Sequence, residues 1–215
     1  MLGVTPNPDL LSYLLDIVRL VDMNTITSIA VFCGSSEGAR SIYRETARKL
    51  GSAMYNRQAT LIYGGGNRGL MGIVAESLYS QGGRVIGVIP EALHRSDICA
   101  HSVEEQLIVV PTMHERKATM YKLADAFVAL PGGIGTFEEI LEVYTWLQLG
   151  YHAKPVALLN TAGFYDCLLA FLQHSVQEGF LKADHLAALI VESDIDKLFE
   201  RLAHFEGRLS DKLHS

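Results

Sequence analysis

Cysteine is scarce in this chain: Cys33, Cys99 and Cys167 are the three in 215 residues, far apart and in no paired spacing. That excludes a disulfide framework and a cysteine zinc cluster, fits a reducing, cytoplasmic compartment, and leaves each thiol to be read as a small buried hydrophobe. Positive charge is in deficit too, with 18 Lys and Arg against 24 Asp and Glu for a formal net charge of -6. Such a chain has no overall attraction for nucleic-acid polymers or anionic membranes, so any phosphate it handles must be held in a local pocket. An uninterrupted membrane-spanning run is missing as well. Leu10, Leu11, Leu14, Leu15, Val18 and Val21 recur at helical spacing, but Asp16, Arg19 and Asp22 break the stretch and no basic leader precedes it. Residues 1–27 are therefore read as an extension carrying one amphipathic helix. The eight histidines contain neither HExxH nor an i, i+4 pair, so no metal is expected.

What is present is a chain with 49% hydrophobic and 20% charged residues, ordinary for a globular protein. From Ser28 onward, short apolar runs ending in glycine alternate with longer segments of helical period. The predicted strands are 29–33, 60–63, 84–89, 107–110, 126–130, 155–159 and 188–191, rich in Val, Ile and Leu with no clear polar face. Such runs suit a parallel sheet covered on both sides. The predicted helices are 40–55, 70–80, 114–123, 137–149, 165–177 and 195–205. This alternation predicts an α/β fold: a Rossmann-like, doubly wound, mostly parallel sheet of about seven strands with helices on both faces. Residues 28–206 are read as one nucleotide-binding domain and 207–215 as a loose tail.

In an open parallel sheet the loops after the strands' carboxyl ends converge on one crevice. Three of these junctions are rich in glycine: Cys33-Gly34-Ser35-Ser36, the run from Gly64 and Gly65 to Gly72, and Pro131-Gly132-Gly133-Ile134-Gly135-Thr136-Phe137-Glu138-Glu139. Glycine lets the backbone approach a ligand, and the helix that follows offers N–H groups and the positive end of its dipole, which together suit phosphate. One such run alone is equally a tight turn; three on one edge favour a nucleotide-sized ligand. Ser35 and Ser36 lack the G-x-S-x-G elbow and are read as hydroxyls donating to ligand oxygen.

Two charged groups stay open to two readings. Glu138 and Glu139 either complement the helix dipole, with Thr136 as N-cap and Glu139 as its capping-box partner, or one of them serves chemistry. Cleaving an N-glycosidic bond builds positive charge at the anomeric carbon, which a carboxylate stabilises while it orients water. His114-Glu115-Arg116-Lys117 is either a solvated basic turn, or it sends Arg116 and Lys117 over the sheet edge to an anionic ligand.

Met113-His114-Glu115-Arg116-Lys117-Ala118, Asp125-Ala126-Phe127 and Pro131 through Glu139 together resemble the LONELY GUY family of cytokinin riboside 5'-monophosphate phosphoribohydrolases. The resemblance extends from about Ile29 to His204 and includes Thr145-Trp146-Leu147-Gln148-Leu149-Gly150-Tyr151-His152-Ala153-Lys154-Pro155. It implies a Rossmann-like homodimer, without a cofactor, that hydrolyses N6-substituted or plain adenosine monophosphate to free base and ribose 5-phosphate. It implies Arg116 and Glu139 as the catalytic pair. It also implies Lys117 and Gly132, Gly133, Ile134, Gly135, Thr136, Phe137 and Glu138 as contacts to phosphate and ribose. The family's acidic residue after an arginine, before the fourth strand, is matched by Asp97 in Arg95-Ser96-Asp97.

Members of this family are often labelled lysine decarboxylases, yet the sequence shows no constellation for pyridoxal phosphate. The rival reading from another class is a non-catalytic nucleotide or cofactor carrier on the same fold, which would not need Arg116 and Glu139 together. A dinucleotide oxidoreductase is disfavoured because Gly34-Ser35-Ser36-Glu37-Gly38 lacks the GxGxxG spacing.

Overall fold

The computed structural model describes residues 26–94, 103–207 and 209. Seven strands form one sheet in the order β4-β3-β2-β1-β5-β6-β7. They are β1 (Ser28–Phe32), β2 (Thr60–Tyr63), β3 (Val85–Pro90), β4 (Gln106–Val110), β5 (Ala126–Ala129), β6 (Val156–Leu159) and β7 (Ile190–Glu192), and every neighbouring pair is parallel. In the centre, Ile29 sits between Leu61 of β2 and Ala126 of β5. The central strands β2, β5 and β6 are buried along their whole length because helices cover both faces and leave no solvated side.

On one face lie α1 (Ser41–Asn56), α2 (Gly69–Tyr79) and α7 (Ile195–Ala203). Thr46, Ala47, Leu50, Gly51 and Met54 recur at i, i+3/i+4 spacing along α1, which buries that stripe against Val74 and Leu78 of α2 and the strands. On the other face lie α3 (Met113–Leu123), α4 (Ile134–Gln148) and α5 (Asp166–Gln177), whose Met120, Tyr121, Ile140, Val143 and Leu147 pack with Phe32, Phe127 and Leu158. The predicted elements reappear with their ends moved by two residues or fewer, with one exception, and one short helix is new. The strand expected at 188–191 starts at Ile190, because Ala183–Ala188 forms a short helix, α6, that the sequence reading lacked. The helix expected from 137 starts three residues earlier, at Ile134, with Gly133 as its N-cap. Short 3-10 turns follow β3 (Glu91–Leu93) and β6 (Thr161–Gly163).

Cys33 is a buried hydrophobe as expected, but Cys167 is exposed: it stands in the first turn of α5, which buries none of its residues fully. Cys99 and the amphipathic helix expected within residues 1–27 lie outside the described residues. None of the described helices is long and apolar enough to cross a membrane.

Candidate active site

The order in which strands are added to the sheet reverses between β1 and β5, which is where an open α/β sheet opens a crevice at its carboxyl edge. Gly34, after β1, ties the three glycine junctions together. Its N–H donates to the Pro131 carbonyl after β5, and its carbonyl accepts from the Leu70 N–H at the start of α2, both at 3.0 Å. At Gly69 the backbone takes φ +60, and a Cβ there would lie 2.3 Å from the Ser35 carbonyl carbon. Only glycine lets the second junction close on the first in this way.

Thr112 caps α3 by accepting the Glu115 N–H at 3.1 Å, which fixes the entry of the helix and aims Arg116 across the crevice. The Arg116 guanidinium donates through Nε to the Val88 carbonyl at 3.2 Å and through Nη1 to Glu139 Oε1 at 2.8 Å. It also fills the space over Gly64, where an added Cβ would stand 2.1 Å from Nη2. Both members of the Arg116–Glu139 pair are largely buried, with side-chain exposures of 13% and 12%. Burial pushes the Glu139 carboxyl above the ordinary glutamate range, and the attraction of Arg116 only partly offsets it. A carboxylate in that state is poorly hydrated and rotationally held, and so is poised to face developing positive charge.

Lys117 points the other way along α4. Its Nζ pairs with Glu138 Oε1 and lies 2.8 Å from Glu142 Oε2, which also accepts the Tyr121 hydroxyl at 2.5 Å. Burial would lower the Lys117 pKa, but the two carboxylates outweigh it and hold the amine charged, above the usual lysine value.

Most of the residues expected at the site are brought together here, with four qualifications. Thr136 is buried inside the first turn of α4 and is not its N-cap, so the capping box with Glu139 does not form; Glu139 turns to Arg116 instead. Arg116 and Lys117 do not stand open to an anion, because α4 supplies carboxylates to both. Gly65 packs against Ile89 and Leu107, while Gly64 is the glycine that meets the guanidinium. Asp97 lies outside the described residues. Ser35, Gly133, Ile134 and Gly135 are exposed at the crevice, and nothing lies within 4 Å of a Cβ built at Gly133 or Gly135. The start of α4, whose first N–H groups have no partner within the helix, is therefore open, next to Glu138 and Glu139. Phe137 is half-buried, in ring contact with Phe164 and Tyr165.

Sequence reading missed Glu142 and Tyr121. The available signal was a matching interval: Lys117 and Tyr121 are four apart on one helix, and Glu138 and Glu142 are four apart on the next. Among the described residues no cluster of His, Cys, Asp and Glu could hold a metal ion.

A family model described as possible lysine decarboxylase matches residues 71–202. A rice (Oryza sativa subsp. japonica) protein, a probable cytokinin riboside 5'-monophosphate phosphoribohydrolase, is 47% identical over 185 residues, covering 86% of this chain and 81% of its own. An Arabidopsis thaliana cytokinin riboside 5'-monophosphate phosphoribohydrolase is 45% identical over 183 residues, covering 85% of each chain. Among solved structures, the molybdenum cofactor carrier protein of Chlamydomonas reinhardtii superposes with TM-score 0.62 at 22% identity, over 82% of this chain and 98% of that one. The molybdenum cofactor binding protein of Rippkaea orientalis gives 0.61 at 20%, over 81% and 94%. At these identities the two structures speak to the fold alone.

Proposed function

The chain belongs to the family of cytokinin riboside 5'-monophosphate phosphoribohydrolases, and from that premise we propose that it hydrolyses the N-glycosidic bond of adenine-type nucleoside 5'-monophosphates, AMP included. One observation carries the reading at this chain's own residues: a buried Arg116–Glu139 pair stands where three glycine junctions meet. The phosphate sits on the N–H groups that open α4, with Ser35 alongside, and the ribose lies over Glu138 and Glu139. As the bond from C1' to the base nitrogen breaks, the electron pair leaves with the base and positive charge gathers on C1' and the ring oxygen. Glu139 stabilises that charge and orients a water, whose oxygen bonds to C1'. One of the water's protons ends on the base and the other stays on the oxygen as the C1' hydroxyl, leaving ribose 5-phosphate. Arg116 holds Glu139 in place and, through its planar donors, steadies the nucleotide and its departing base.

The name of the matching family model raises pyridoxal phosphate chemistry, which needs a lysine able to lose its proton and form a Schiff base. The buried lysine of this site is held charged by two carboxylates, which is the opposite requirement, so these residues do not fit that group. A carrier would need the phosphate seat but not a buried carboxylate beside the sugar. The reading also takes the enzyme as a cytoplasmic homodimer.

Purified protein given AMP or isopentenyladenosine monophosphate is expected to release base and ribose 5-phosphate, resolved by chromatography. Glu139→Gln, which keeps size and a hydrogen-bond acceptor for Arg116, should lower release by about 10²–10³-fold. A folded Glu139→Gln protein with full release would remove Glu139 from the mechanism. Wild-type protein inert towards both nucleotides would overturn the reading.

A further inference from the structure

Beside the Arg116–Glu139 pair, a second arrangement runs between the same two helices. Glu142 Oε2 is shared by the Tyr121 hydroxyl at 2.5 Å and Lys117 Nζ at 2.8 Å, and Lys117 in turn grips Glu138 Oε1. Two donors converging on one oxygen fix the Glu142 rotamer. Tyr121 cannot swing away, because its ring packs edge-on against Phe32, Phe127 and Trp146 with centroids 6.3, 5.7 and 5.3 Å away. Its backbone carbonyl also accepts from Lys154 Nζ at 2.8 Å. Burial above all, and then the bond to Glu142, push its phenol far above the ordinary tyrosine value, so it remains a donor at any working pH. An immobile phenol therefore anchors Glu142, which anchors Lys117, which anchors Glu138. The Glu138 side chain is half exposed, one residue before Glu139.

We propose that Tyr121 is a positioning residue for the substrate: through Glu142 and Lys117 it holds the Glu138 carboxylate still, with one oxygen engaged and the other left to accept from the ribose hydroxyls. This rests on the reading of the site given above. Glu139 is held separately by Arg116, so the arrangement governs how tightly the sugar is held rather than the rate of bond cleavage.

Steady-state kinetics on AMP and calorimetric binding of ribose 5-phosphate, applied to wild type, Tyr121→Phe, Glu142→Gln and the double variant, test it. Tyr121→Phe keeps the ring packing and removes only the hydroxyl. It should raise KM and the ribose 5-phosphate Kd about three- to ten-fold, with kcat changed less than about two-fold. Glu142→Gln should do the same, and adding Tyr121→Phe to it should change little further, since the hydroxyl acts through Glu142. Additive effects, a loss in kcat alone, or unchanged KM and Kd in an active enzyme would overturn the proposal while leaving the hydrolase reading intact. Should Tyr121→Phe fail to fold, unchanged KM and Kd in Glu142→Gln would overturn it equally. A wild type that neither turns over a nucleotide nor binds ribose 5-phosphate would overturn both.

Discussion

In the role proposed for it, Glu139 has to remain ionised where burial opposes it. Its carboxyl is pushed up by desolvation, and Arg116 and then Lys117 pull it only part of the way back. The ionised form is the one that can meet positive charge on the sugar, so activity is lost as pH falls through the raised value. The acid limb of kcat/KM should therefore have its midpoint above 4.5, the ordinary glutamate value. A midpoint at or below that number would mean that another group sets the limb. The same shift makes ionised Glu139 a cost to folding: its contribution is favourable below the unfolded value and is lost as pH rises through the folded one. At this scale the residues alone left Arg116 and Glu139 open to two readings each, and the family resemblance singled them out as a pair. The sequence was fainter for residues that matter only through one another, where the shared four-residue interval of Lys117–Tyr121 and Glu138–Glu142 was the one mark. Nothing about Tyr121 or Glu142 alone sets them apart, and only the packing of α3 on α4 makes them partners.

Among the elements, β1 and β5 are joined at their amino ends by Asp125. Its Oδ2 accepts from the Thr27 N–H at 3.0 Å, the Thr27 hydroxyl at 2.8 Å, and the Ser28 N–H and hydroxyl, both at 3.0 Å. Burial would raise this carboxyl, but the bonds from Thr27 and Ser28 win and hold it below 3.8. Asp125→Asn should destabilise the fold at neutral pH by about 1–2 kcal/mol. A depressed carboxyl contributes stability above its unfolded value and loses it as pH falls through the folded one, so the penalty should fade in acid. Melting temperatures of both proteins at neutral and strongly acid pH check this, and a penalty equally large in acid would contradict it. The strands were readable because their apolar runs are continuous, whereas α6 has six residues and buries only His185, too little for a period to show. The first turn of α4 was hidden by Gly133 and Gly135, which weaken helix propensity at a place where open N–H groups matter more.

For the molecule as a whole, the negative net charge goes with cations at the crevice that are matched by carboxylates of the protein itself. Large apolar side chains remain open to solvent at Val109 on β4, at Met113 and Leu123 on α3, and at Leu149 and Tyr151 beyond α4. Exposed apolar surface of this kind favours self-association, and sedimentation velocity is expected to return twice the mass of one chain. A persistent monomer at micromolar concentration would count against the dimer. A dimer face leaves no mark legible in a sequence, because an apolar residue reads alike whether it faces the core or a second copy. Gly64 has a different reach. The atom nearest to any side chain placed there is the tip of a flexible arginine, which can retreat without disturbing the sheet. A library varied at that position and sorted for soluble expression should look permissive, while the same library sorted for turnover should return glycine.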